Sequence, residues 1–278
     1  MQIVRTVAEV RAAVRAARAA GHRVGFVPTM GALHDGHLSL VTLARDQGAA
    51  FVVVSVFVNP TQFGPNEDFA AYPRDLDGDA DKLRSVRADV VFFPDVETIY
   101  PRGAETRVSL DALPKHLCGL DRPHHFGGVA TVVTGLMNIV QPDLAVFGEK
   151  DFQQLQVIRR LVRDLHLPVE IVGAPIARET DGLAMSSRNA YLSPDERRRA
   201  LALSKALAGA QAAADAGVRD PRQLEAAMRA VCEASGGQVD YAAVVDPDTL
   251  DPATSLPARA LVAVRFGRTR LIDNAALS

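Results

Sequence analysis

The sequence predicts an α/β fold: a largely parallel sheet in an N-terminal domain, residues 1–176, and a smaller α+β C-terminal domain, residues 177–278. Three observations carry that expectation. Apolar runs alternate with amphipathic helical segments up to about residue 175, the rhythm that builds parallel sheets. One run, FVVVSVFV at 51–58, is continuous rather than alternating, as a strand covered on both faces must be. Beyond residue 175 the rhythm stops, and two helical patterns precede three short strands set among Pro-rich turns.

The elements follow in order. TVAE at 6–9 is a capping box, and Val7, Val10 and Val14 continue it at helical spacing until Gly21. Residues 24–27 read as a buried strand ending at Pro28 and Thr29. Residues 37–47 read as a helix with Leu38, Val41 and Leu43 inward and Gly48 as its stop. The pattern repeats: helix 80–86, strand 90–93, helix 129–140, strand 144–147, helix 152–165, strand 169–172. SPDE at 193–196 is a second capping box, with Pro at the first helical position, opening a helix to about residue 209. Asp220 and Pro221 open another, to about residue 234, and residues 241–245, 261–264 and 271–273 read as the closing strands.

Composition excludes several functions. With 31 Lys plus Arg against 33 Asp plus Glu, the formal charge of −2 gives no broad basic face for nucleic acid or anionic lipid. No apolar run approaches the roughly 20 residues of a membrane span, and the first residues lack the apolar core of a signal peptide. Cys118 and Cys232 are far apart and without CxxC spacing, which suits a reducing cytoplasm. Only four cations are Lys (Lys82, Lys115, Lys150 and Lys205), a skew whose simplest reading is compositional bias.

Polar clusters sit where strands hand over to helices, and ligands of parallel sheets gather at those carboxyl ends. The first is MGALHDGH at 30–37, with His34 and His37 three apart near a helix start. Free N–H groups and a positive dipole there welcome an anion, and Gly31 and Gly36 permit close backbone approach. The HxxH spacing lacks the Glu of a zincin, which argues against zinc. NPTQFG at 59–64 fits two readings, a plain turn or a set of amides that fixes a small polar ligand. In FGEKDFQQ at 147–154, Lys150 and Gln154 stand four apart, on one face if helical, although Glu149 and Asp151 equally suit capping and pairing with Lys150. DGLAMSSRN at 181–189 supplies hydroxyls and Arg188 on a loop suited to phosphate. DRPHHFGG at 121–128 reads either as an anion-binding helix start or as a loop with paired histidines. Asp75, Asp77, Asp79 and Asp81 suit a solvated helix start or help for a magnesium ion.

HDGH and MSSR resemble the HIGH and KMSKS-type signatures of the nucleotidyl-transferring α/β superfamily. Within it, five segments in order (PTMGALHDGH, FVNPTQFGPNEDFAAYPR, HFGGVATVV, FGEKDFQQLQVIRRLV and DGLAMSSRNAYL) resemble the pantoate–β-alanine ligase (pantothenate synthetase) family. The resemblance implies a Rossmann-like first domain and a second that closes over the site. It implies a cytoplasmic homodimer and ATP-dependent condensation of pantoate with β-alanine, with Mg²⁺, through a pantoyl adenylate. Met30, Gly31, Ala32, Leu33, His34, Asp35, Gly36 and His37 would then bind ATP, His37 as proton donor and His34 beside the phosphates. Gly148, Glu149, Lys150, Asp151, Ala177, Met185, Ser186, Ser187 and Arg188 would complete the ATP site, with Lys150 joining the histidines in catalysis. Gln62 and Gln154 would hold pantoate, and Gln62 would also border the β-alanine pocket. Asp79 would be a metal ligand. Two positions depart from the family pattern: Gly127, where many relatives carry a bulky basic residue, and Lys82, where some carry a polar residue near the metal.

Two other functions share the sequence features: a nucleotidyltransferase that keeps its nucleotidyl product, and a nucleotide-sensing module without catalysis. An aminoacyl-tRNA synthetase is disfavoured by the charge of −2 and the short C-terminal portion.

Overall fold

The computed structural model describes residues 1–64, 69–70 and 72–278; part of the FVNPTQFGPNEDFAAYPR segment, at 65–68 and 71, lies outside the described residues. The chain divides into two compact units, Met1–Glu149 with Gln154–Pro175, and Lys150–Gln153 with Ile176–Ser278. Against the expected division after residue 176, the break falls one residue earlier, and the Lys150 turn is counted with the second unit.

In the first unit, six strands form one parallel sheet: β1 (Gln2–Val4), β2 (Val24–Thr29), β3 (Phe51–Val56), β4 (Val90–Phe92), β5 (Leu144–Gly148) and β6 (Glu170–Ala174), in the order β1-β4-β3-β2-β5-β6. Alternate residues of β3 serve two cores. Val53 joins Phe26, Phe92 and Ala145 on one face, while Val52 and Val54 join Val27, Val91 and Val146 on the other. This is why the run is continuously apolar. Helices α1 (Val7–Ala19), α6 (His125–Val140) and α7 (Phe152–Asp164) supply Val10, Val14, Val133, Leu136, Leu155 and Ile158 to the first core. Helices α2 (Asp35–Asp46) and α3 (Leu76–Ser85) supply Leu40, Val41, Ala44 and Leu83 to the second. The short helices α4 (Val96–Ile99) and α5 (Cys118–Asp121) lie in the connections.

Several boundaries differ from the sequence expectation. Strand β2 runs through Pro28, which is tolerated because β5 pairs only with Gly25 and Phe26. Helix α2 begins at Asp35, two residues early, and α6 begins at His125, so the paired histidines sit at its first turn rather than ahead of it. Strand β1 is absent from the sequence expectation, being too short to show a period.

The second unit is an antiparallel meander of β7 (Gln238–Val245), β8 (Ala258–Phe266) and β9 (Thr269–Leu277). Helices α8 (Pro194–Ala200), α9 (Ala202–Asp215) and α10 (Pro221–Ala234) precede it. Leu203, Leu207, Leu224 and Met228 pack against Val244, Val262, Val264 and Phe266. The helix expected from 193 to 209 is divided at Leu201. All three strands are longer than their apolar cores suggested. No helix among the described residues is long and apolar enough to cross a membrane.

Candidate functional site

In the first unit β3, β2 and β5 are neighbours, yet the chain reaches β3 and β4 on one side of β2 before returning to β5 on the other. Crevices for ligands form at such reversals, outside the carboxyl ends of the strands. Residues 30–37 leave β2 there, residues 57–62 leave β3, and Gly148 and Glu149 end β5.

The loop after β2 turns through two left-handed residues, Gly31 at φ +86° and Ala32 at φ +51°. A Cβ on Gly31 would lie 3.1 Å from both Asp79 Oδ2 and Val56 Cγ1, so glycine fits where other residues crowd. The loop is gripped from α3. Asp79 accepts the N–H of Ala32 (3.0 Å) and of Leu33 (2.8 Å), one on each carboxylate oxygen. Lys82 Nζ donates to the Leu33 carbonyl at 2.7 Å. Burial pushes the Asp79 carboxyl above its usual range, opposed by the Leu33 bond, Lys82 and the Ala32 bond. Asp79 therefore has a structural task beside the metal-ligand role expected of it. It is a backbone clamp with both oxygens engaged, and the described residues contain no group of three His, Cys, Asp or Glu suited to a metal.

His34 caps α2 with extended backbone, and its N–H donates to His37 Nδ1 at 3.3 Å. The two rings lie with centroids 4.0 Å apart. A ring nitrogen that accepts carries no proton, so a neutral His37 holds its hydrogen on Nε2. The Gly31 N–H points to Thr29 Oγ1 (3.3 Å) and the His37 N–H to the His34 carbonyl (2.7 Å). All four backbone donors of 31–34 are thus engaged, two within the segment and two on Asp79 of α3. The segment offers an anion its imidazoles and the amides of Asp35 and Gly36 at the helix start.

Beside it stands an amide cluster. Gln62, 8% exposed, ends the 3₁₀ turn Pro60–Gln62. Its Nε2 donates to Met30 Sδ at 2.9 Å, and its Oε1 accepts from Asn59 Nδ2 at 3.1 Å. Asn59 Nδ2 also reaches the Gly128 carbonyl (3.2 Å), while Asn59 Oδ1 accepts from the Tyr100 hydroxyl (2.9 Å) and from Thr61 Oγ1 (3.0 Å). Burial pushes the Tyr100 phenol up, keeping it a donor. The Gln62 carbonyl accepts from Arg122 Nη2 (3.3 Å) and lies 3.0 Å from His125 Nδ1. A Cβ on Gly128 would fall 2.4 Å from the Thr61 carbonyl oxygen, whereas one on Gly127 meets nothing within 4 Å. At Gly148 too the space is open. Gln154 lies half-buried on α7.

The second unit holds the remaining predicted residues. Lys150 and Asp151 belong to the 3₁₀ turn Glu149–Asp151, not to α7, so Lys150 and Gln154 are not consecutive turns of one helix. Lys150 Nζ lies 3.9 Å from Asp151 Oδ2. A small cavity brings Lys150 together with Ser186, Asn189 and Asp273. The loop that carries Ser186 is well braced. Ala177 accepts from the Met185 N–H (2.9 Å), and Arg178 forms a two-pronged pair with Asp273 (2.7 and 3.0 Å). Arg197 joins Glu179 and Asp181 at 2.8 and 2.7 Å. Ser186 Oγ caps the turn Ser187–Tyr191 by accepting the Arg188 N–H.

Sequence reasoning missed Tyr100, Asn59 as an organiser, Asp79 as a clamp, and Asn274. Two of these left a signal: Asp79 shares its helix face with Leu83, and Asn274 interrupts an apolar strand. Tyr100 left none.

The chain matches the family model described as pantoate-beta-alanine ligase over residues 2–276. It is 52% identical over 277 residues to the pantothenate synthetase of Syntrophotalea carbinolica, covering 99% of this chain and 98% of that one. With the pantothenate synthetase of Myxococcus xanthus it shares 53% identity over 98% of this chain and 94% of that one. The crystal structure of pantothenate synthetase from Thermus thermophilus superposes with a TM-score of 0.94 at 50% identity, covering 99% of each chain. That of pantoate-beta-alanine ligase from Francisella tularensis, complexed with beta-gamma ATP and beta-alanine, gives 0.82 at 33% identity, over 99% of this chain and 97% of that one. With a family match and relatives that span it almost from end to end, the chain belongs to the pantoate–β-alanine ligase family.

Proposed function

We propose that this chain joins pantoate to β-alanine at the expense of ATP, releasing AMP and pyrophosphate by way of a pantoyl adenylate. The observation that carries the reading is the meeting of the His34–His37 pair with the Asn59–Gln62 amide cluster at the carboxyl ends of β2 and β3, in a chain matched by the family model almost from end to end.

A carboxylate is a poor electrophile, so it must first acquire a leaving group. A pantoate carboxylate oxygen attacks the α-phosphorus; that P–O bond forms as the bond to pyrophosphate breaks. His37 donates from Nε2 to the oxygen bridging the α- and β-phosphorus as charge develops there, and His34 lies beside the phosphates. Lys150, Ser186, Ser187 and Arg188 neutralise and hydrogen-bond the departing pyrophosphate. Met30, Gly31, Ala32, Leu33, Asp35, Gly36, Gly148, Glu149, Asp151, Ala177 and Met185 shape the nucleotide's surroundings. Gln62 and Gln154 hold pantoate, and Gln62 borders the β-alanine position. In the second step the β-alanine amine attacks the acyl carbon, the C–O bond to AMP breaks, and the amine loses a proton. Orientation supplies most of that step.

Mg²⁺ would enter with the nucleotide and would offset the charge of its phosphates. Asp79, which also clamps the loop after β2, would be its protein ligand in this reading. The two buried cysteines, neither in a disulfide, fit the reducing cytoplasm, and the family resemblance supports a homodimer. Incubating the protein with pantoate, β-alanine, ATP and Mg²⁺ tests the reaction. Equimolar AMP, pyrophosphate and amide product support it; ADP or a free dinucleotide contradicts it.

A further inference from the structure

Lys150 is held by two residues of the last strands that no motif contains. Asn274, 2% exposed in the middle of β9, donates Nδ2–H to the Lys150 carbonyl at 2.9 Å. Its Oδ1 accepts from Arg259 of β8, through Nε at 2.8 Å and Nη2 at 2.5 Å. The Arg259 guanidinium in turn lies over the Phe152 ring, 4.3 Å from its centroid. Asn274 is paired with Leu261, two residues from Arg259 on the same strand, so both side chains leave one face of the sheet. One polar pair therefore grips the turn at two points, the backbone of residue 150 and the ring of residue 152.

The next side chain of β9 points the other way and performs a matching task. Asp273, 2% exposed, receives both prongs of Arg178, and Arg178 Nη1 also donates to the Gly182 carbonyl at 3.1 Å. Adjacent residues of one strand thus brace the Lys150 turn and the base of the loop that carries Ser186. Lys150, Ser186 and Asp273 line the same small cavity. A buried Asn in an apolar strand, facing a half-buried Arg on the neighbouring strand, carries a desolvation cost that packing alone would not demand.

We propose that Asn274 and Arg259 are positioning residues for Lys150, fixing its backbone so that the ammonium is presented to the nucleotide's phosphates. The proposal rests on the reading of Lys150 as an ATP contact. Asn274→Asp keeps the acceptor for Arg259 but sets an oxygen against the Lys150 carbonyl. Arg259→Lys keeps the charge but loses the two-pronged grip. The Kd for ATP with Mg²⁺, and that for pantoate, are measured calorimetrically in both variants, in Lys150→Ala and in Lys150→Ala/Asn274→Asp.

Asn274→Asp is expected to weaken ATP on the order of 10-fold, with pantoate affinity changed by less than about twofold, and Arg259→Lys is expected to act in the same direction more weakly. In the Lys150→Ala background Asn274→Asp is expected to change ATP affinity by less than about twofold, because the group it positions is gone. An undiminished loss in that background overturns the proposal, as does equal loss of ATP and pantoate affinity. If Asn274→Asp does not fold, the Arg259→Lys result decides: unchanged ATP affinity overturns the proposal. If Lys150→Ala weakens ATP and neither positioning variant does, the proposal fails while the reading of Lys150 stands. Unchanged affinity in Lys150→Ala removes both.

Discussion

At the scale of single residues, the loop after β2 shows how a site's geometry is set from outside its own motif. His34 and His37 were visible because histidines three apart before a helix are an unusual coincidence. Asp79 was not, because its partners Ala32 and Leu33 lie 47 and 46 residues away and nothing local announces them. Asp79→Asn leaves one acceptor for two N–H groups and turns a donor against the other. It is expected to cost about 1–3 kcal/mol of stability in urea unfolding, and to raise KM for ATP. The pH dependence has a definite sign. Burial raises the Asp79 pKa in the folded state, so the folded chain binds that proton more tightly than the unfolded one. The stability of the wild type relative to Asp79→Asn should therefore grow as pH falls through the raised pKa, and shrink as pH rises through it. His37→Ala removes the Nε2 donor. Turnover should fall by on the order of 10²-fold or more while ATP binding survives in part, and unchanged turnover would remove His37 from the mechanism.

At the scale of elements, α6 and the turn after β3 are fitted to each other through a glycine. Gly128→Ala places a methyl group 2.4 Å from the Thr61 carbonyl oxygen and 2.7 Å from the Gln62 nitrogen. Because Gln62 rides on that turn, KM for pantoate should rise more than KM for ATP. Gly127→Ala, which meets open space, should stay close to wild type in both. The capping boxes give a second test. Thr6 and Glu9 exchange bonds at the start of α1, as Ser193 and Glu196 do at α8, and those bonds hold both glutamates below the usual carboxylate range. Their contribution is present above the ordinary carboxylate pKa and is lost as pH falls through the lowered value. Ser193→Ala should cost about 1 kcal/mol at neutral pH, read from thermal unfolding, with a smaller difference in acid. Both boxes were legible because a cap is a local pattern of four residues. The true start of α6 was not. His124, His125 and two glycines are poor helix formers, and packing against the 3₁₀ turn overrides that preference.

At the scale of the whole molecule, strand–helix alternation revealed the parallel sheet, since a strand buried on both faces leaves a continuous apolar run in any parallel-sheet protein. The assignment of the Lys150 turn was not legible. It depends on Asn274, more than a hundred residues later, and a side-chain bond to a carbonyl leaves no trace in spacing. A formal charge of −2 likewise hides local groupings: the two histidines after β2 in the first unit, and Lys150 beside Ser186 in the second. The proposed mechanism centres on activation of pantoate by ATP in a step that does not need β-alanine. Exchange of labelled pyrophosphate into ATP, measured with pantoate present and β-alanine absent, tests that step most directly. Label should enter ATP only when pantoate is added, and should stop entering in His37→Ala. Exchange without pantoate, or no exchange with it, would contradict the mechanism.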